Sequence, residues 1–147
     1  MGAEGHKALE TAAAVLDGPV VRTSASVIGK RGGESVIVAT TSWGFVVTVL
    51  LPSPRVAFTV EQRGWLRKTL AVEGEPTELV RELLDAEHLE RLAALAPTLV
   101  ELGLTALRLE RKYGAAEDVT AAVVWVVSVA QRVRRLDGQT GRTKLAG

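Results

Sequence analysis

The chain reads as an α+β domain: an antiparallel β-sheet meander of about four to six strands, packed on one face by helices that include a long C-terminal one. Three observations predict this. Residues 20–73 are rich in β-branched side chains and are broken at short intervals by turns containing Gly or Pro. Residues 76–96 carry leucines at helical spacing. Residues 116–136 form an apolar run that ends in arginines. At 147 residues, 47% hydrophobic and 24% charged, the chain fits one globular domain with a core of its own.

Residues 7–16 predict a short helix, because Leu9, Ala12, Ala13 and Leu16 recur at helical spacing and Gly18-Pro19 stops the run. Two strand-like runs follow, "VVRTSASVIG" and "ESVIVATTSW". The "KRGG" between them is the strongest hairpin signal in the chain. "GFVVTVLLPSP" continues as a nearly solid apolar strand, which implies cover on both faces. Pro52 and Pro54 force a turn. "RVAFTVEQ" then alternates, with Val56, Phe58 and Val60 inward, and "WLRKTLAVE" alternates again. Pro76 suits the first position of a helix over "TELVRELLDAEHLERLAALA", whose Leu79, Val80, Leu83, Leu84, Leu92 and Leu95 face the sheet. Residues 98–113 alternate as a strand, with Gly103 as a kink or bulge, although a helix competes. Gly114 closes that segment. Glu117 and Asp118 favour a helix start at about residue 116 by charge–dipole attraction, and this helix is predicted to end near Leu136. The domain is thus expected over 1–136, with 137–147 a disordered polar tail.

Composition narrows the function. A formal net charge of +1 gives no electrostatic call for nucleic acid, and 4% aromatic residues offer little for stacking on bases. There is no cysteine, which excludes disulfides, thiol nucleophiles and Cys-rich zinc sites and suits a cytoplasmic location. No secretory signal is expected, since Glu4, Glu10 and Asp17 interrupt the first eighteen residues. No stretch reaches the roughly 18–20 apolar residues that span a bilayer.

Candidate chemistry is sparse. His6 and His88 are the two histidines, and neither falls in a metal-ligand spacing; His88 reads as a surface histidine within reach of Asp85. "GKRGGE" resembles a phosphate loop in composition, but a strand and not a helix follows it, so a solvated hairpin turn is favoured. Arg63, Arg67 and Lys68 read as a charged strand face. The pairs Glu73/Glu75, Asp85/Glu87 and Glu117/Asp118 have simple solvated or helix-start roles, and no nucleophile elbow, dinucleotide fingerprint or Walker motif is present. Ser24, Ser26, Ser35 and Ser42 have only His88 as a candidate base. The expectation is a protein that is not an enzyme and has no cofactor, no metal and no catalytic residue.

The last helix is the informative feature. At about 100° per residue, Val119, Val123, Val126, Ala130 and Val133 form the stripe that faces the sheet. Ala121, Val124 and Trp125 fall away from it, beside Ser128, Gln131, Arg132 and Arg135. An apolar patch with a polar rim predicts a protein contact, with Trp125 as its anchor. Ala121, Val124, Trp125, Ser128, Arg132 and Arg135 are therefore the expected interface. Two other readings stay open: cover by the same chain, and an interfacial membrane helix using Arg132, Arg134 and Arg135.

The order helix–three or more strands–helix–strand(s)–helix resembles that of bacterial type III secretion chaperones and related small α+β proteins. The resemblance covers most of the chain, rests on element order without a motif, and departs in charge, since such chaperones are usually acidic whereas the pI here is about 8.1. It implies a non-catalytic protein that dimerises through a helix.

Together these observations predict a cytoplasmic, non-enzymatic, chaperone-like binding or adaptor protein. It would act through contacts with a protein partner or with itself as a homodimer, using its C-terminal helix. The alternative is a small apolar-ligand-binding domain, with a pocket near Trp43, Phe45, Phe58 and Trp65 between sheet and helix.

Overall fold

The computed structural model describes residues 2–63 and 69–146, with side chains described as far as residue 138. The elements in order are α1 (Ala3–Val15), β1 (Asp17–Arg22), β2 (Ser26–Arg31), β3 (Glu34–Thr40), β4 (Gly44–Leu50), β5 (Ala57–Arg63), β6 (Thr69–Glu75), α2 (Thr77–Leu83), α3 (Ala86–Leu95), β7 (Leu99–Leu102), β8 (Ala106–Lys112) and α4 (Glu117–Ala146). The strands form one eight-stranded antiparallel sheet in the order β1-β2-β3-β4-β8-β7-β5-β6.

One face of that sheet is apolar by register. Val27, Val38, Val47, Leu109, Val100 and Val60 pair in one row across six strands. Val36, Val49, Leu107, Leu102 and Phe58 form the next. All are buried. On top lie α1, over β2 to β4, and α4, over β3, β4 and β8; α2 covers β6, and α3 packs on α4. The buried stripe of α4, Val119, Val123, Val126, Ala130 and Val133, is the one that the helical wheel assigns to the sheet.

The α+β class, the helices and the antiparallel sheet agree with the sequence, but the strands number eight rather than four to six. Three local signals account for the difference. "VVRTSASVIG" is two strands, because the Thr23 hydroxyl accepts from the Ala25 and Ser26 N–H groups and turns the chain. Residues 98–113 are also two strands. Gly103 opens the β7–β8 hairpin instead of bulging a single strand, and its N–H donates to Ala106 O. That hairpin then inserts between β4 and β5, so 20–73 is not a continuous meander.

Three further expectations change. "GFVVTVL" is covered on one face only, with Leu50 exposed on the other. Residues 77–95 form two helices, since Asp85 caps a new one by accepting from His88 N–H at 3.0 Å. The last helix begins at Glu117 as expected and its backbone runs to Ala146, beyond the predicted end near Leu136. Among the described residues no helix is long and apolar enough to cross a membrane.

Candidate functional site

The seam between α4 and the α2–α3 corner holds a connected set of side-chain hydrogen bonds. It begins at Asp85, whose position as helix cap fixes its carboxylate. Oδ1 accepts from His88 N–H and lies 2.8 Å from His88 Nδ1. Oδ2 accepts from Arg132 at 2.8 Å. Arg132 reaches back from α4, and its second terminal nitrogen donates to Glu82 O at 3.0 Å. Across the seam His88 Nε2 lies 3.1 Å from Ser128 Oγ. The indole N–H of Trp125 donates to His88 O at 2.9 Å. The His88 N–H, the His88 ring and the Arg132 guanidinium together hold the Asp85 carboxyl well below the usual carboxylate range.

These contacts revise two expectations. His88 is not a surface residue: it is 7% exposed, closed in by α4 and by its own helix cap. Trp125 is not an open anchor: it is 3% exposed and covered by α3, which holds it by its indole N–H. The wheel separates Trp125 from the sheet-facing stripe correctly, but the side on which it falls belongs to α3. Sequence reasoning missed α3 as a separate helix and therefore missed what it covers. The available signal was the Asp85-x-x-His88 spacing, read as a side-chain pair within one helix and not as a cap that starts another.

The remaining interface residues fall into two concavities along the seam. Ala121 and Val124 stay exposed, Val124 at 38%. With Arg91, Ala94, Leu95, Glu117, Asp118 and the edge of Trp125 they line an apolar groove of about 450 Å³ between α3 and the first half of α4. Ser128, Arg132 and Arg135 instead line a polar depression of about 370 Å³ with Glu82, Leu83, His88 and Leu136. The basic end of α4 is also largely engaged within the chain. Arg132 pairs with Asp85, and Arg134 Nε contacts both carboxylate oxygens of buried Glu34 at 2.7 Å while Nη2 donates to Leu50 O. Two of the three cations proposed for a lipid surface are thus tied to the protein itself.

Among the described residues the alternative ligand pocket does not assemble. Phe45 and Phe58 are packed core residues on β4 and β5, with β8 and β7 between them. Trp43 is 44% exposed beyond the start of β4. Trp65, like Arg67 and Lys68, lies outside the described residues. "KRGG" is a two-residue hairpin turn, with Gly32 and Gly33 both at positive φ, as expected. No group of three or more potential metal ligands occurs among the described residues.

No family model matches the chain, and no curated protein sequence does. Among solved structures, the crystal structure of the mycobacterial trehalose monomycolate transport factor A, TtfA, superposes with a TM-score of 0.56 over 90% of this chain and 97% of that one. The identity is 11%, so the likeness is one of fold. It is a likeness to a transport factor and not to a type III secretion chaperone.

Proposed function

We propose that the protein acts through protein–protein contacts, and that the α3–α4 groove is its contact surface, with a second copy of the chain as the partner. The observation that carries this reading is the distribution of charge and apolar surface along the groove. One end carries Glu117 and Asp118, the latter paired with Arg111; the other carries Arg91, which pairs with Glu87 at the exposed surface and can exchange it for a partner's carboxylate; Ala94, Ala121 and Val124 lie between. A two-fold axis through the middle of such a groove sets each acidic end against the other copy's basic end, which is the self-complementarity that an isologous contact requires. The small side chains at Ala94 and Ala121 let helices approach closely. A stable contact of ordinary size takes about 800 Å² from each copy, so the exposed outer side of α3, with Glu87, Glu90 and Ala93, serves as the rim.

A charge swap tests this reading. Arg91→Glu and Glu117→Arg should each weaken self-association at low salt, by about tenfold or less because rim charges are solvated. The double variant should recover it. If both single variants associate as the wild type does, the groove is not the contact.

A further inference from the structure

Ser128, His88 and Asp85 lie outside that groove, and the contact proposed for it leaves their arrangement unused. We infer that Ser128 is a nucleophile, with His88 as its general base and Asp85 as the residue that positions the imidazole. The site so formed accepts a small acyl ester in the polar depression beside α4.

Asp85 is ionised at neutral pH, and an ionised carboxylate only accepts hydrogen bonds. With Oδ1 at 2.8 Å, a ring proton on His88 Nδ1 completes that hydrogen bond, and this is the tautomer the assignment requires. Arg132 Nη1, 3.0 Å from Nδ1, is also a donor and would favour the opposite tautomer by donating to Nδ1, but its shorter 2.8 Å bond directs it to Asp85 Oδ2. In the Nδ1-protonated tautomer Nε2 bears no proton and lies 3.1 Å from Ser128 Oγ, where it can accept the hydroxyl proton. Nucleophile, base and orienting carboxylate stand in hydrogen-bonded sequence, the constellation recognised by geometry and not by chain order. His88 is buried and rigidly held, while Ser128 is half-buried and borders open space.

In the reaction, Oγ bonds to the ester carbonyl carbon as Nε2 takes its proton. The tetrahedral species collapses with cleavage of the bond to the leaving oxygen, which takes the proton from Nε2. Water then attacks the acyl carbon and gives a proton to Nε2. Oγ regains a proton as the carboxylic acid departs, so ester and water become acid and alcohol. Ser128 lies in a helix interior, where backbone N–H groups are already used, so its own turn supplies no backbone oxyanion hole. The cationic donors at the depression are the Arg132 and Arg135 guanidiniums. Without preorganised oxyanion donors, the second half-reaction is slow and the acyl adduct accumulates.

The test uses the full chain with 4-nitrophenyl acetate. One acetyl group per chain should appear on Ser128 by peptide mass spectrometry. Ser128→Ala, which leaves a good helix former, and His88→Gln should each lower adduct formation at least a hundredfold, the scale of a lost nucleophile or base. Ser128→Cys should retain it. Asp85→Asn keeps a capping oxygen but offers its amide to Nδ1. Nitrogen NMR of the ring should show the proton on Nδ1 in the wild type and on Nε2 in this variant, and adduct formation should fall at least tenfold. Acetylation confined to lysines, an undiminished rate in Ser128→Ala, or a proton on Nε2 in the wild type would overturn the assignment.

Discussion

Trp125 is buried between α3 and α4, so removing its ring takes a large aromatic out of that contact. Trp125→Ala should therefore cost about 3–5 kcal/mol in urea denaturation, the usual range for a buried large aromatic. Trp125→Phe keeps most of the packing but leaves His88 O without its indole donor, and should cost about 1 kcal/mol. Asp85 gives a pH dependence of known sign. Its folded carboxyl is held below its unfolded value, so its contribution to stability is complete above the unfolded pKa of about 3.9 and is lost as pH falls toward the folded one. Urea midpoints measured from pH 7 down to pH 3 should fall more steeply below about pH 4 in the wild type than in Asp85→Ala. In the hairpin turn, Gly33→Ala meets open space and pays only for its positive φ, about 1–2 kcal/mol. Gly32→Ala should be worse, because its Cβ would lie 2.5 Å from Gln131 Nε2 and displace the bond that this amide donates to Gly32 O.

Among the elements, those defined by local chemistry were legible in the sequence. The 3.6-residue spacing of Val119, Val123, Val126, Ala130 and Val133 identified the buried stripe of α4, and "KRGG" identified the β2–β3 turn. Elements divided by a single side chain were not. The Thr23 hydroxyl divides β1 from β2, and the Asp85 carboxylate divides α2 from α3. The Asp85 break does not interrupt the hydrophobic pattern, so periodicity alone cannot find it, whereas the polar run at Thr23 to Ser26 is itself a turn signal. The ion pair between β3 and α4 was equally hidden, because Glu34 and Arg134 are a hundred residues apart. Glu34 is 4% exposed and depends on that guanidinium. Arg134→Ala leaves the carboxylate buried without its cation, whereas Glu34→Gln with Arg134 intact removes only the charge. The first change should lower the melting temperature more than the second, a difference that a thermal scan by circular dichroism reads directly.

At the scale of the molecule, the strand order was beyond local reading. The β7–β8 hairpin follows β6 in the chain yet pairs with both β4 and β5, and only long-range pairing decides that. The same holds for the candidate surface. Ala121 and Val124 were legible as apolar residues turned from the sheet, but which of their neighbours α3 would cover depended on a helix that the sequence did not separate. The account rests on the groove that remains. Its most direct test is the molar mass of the full chain in solution by light scattering, for the wild type and for Val124→Glu, with circular dichroism on both. Val124 is exposed, so the variant should keep its helices and its fold. The account predicts a wild type of twice the chain mass of 15.6 kDa and a folded variant at that mass. A monomeric wild type, or a Val124→Glu variant that stays dimeric, would contradict it.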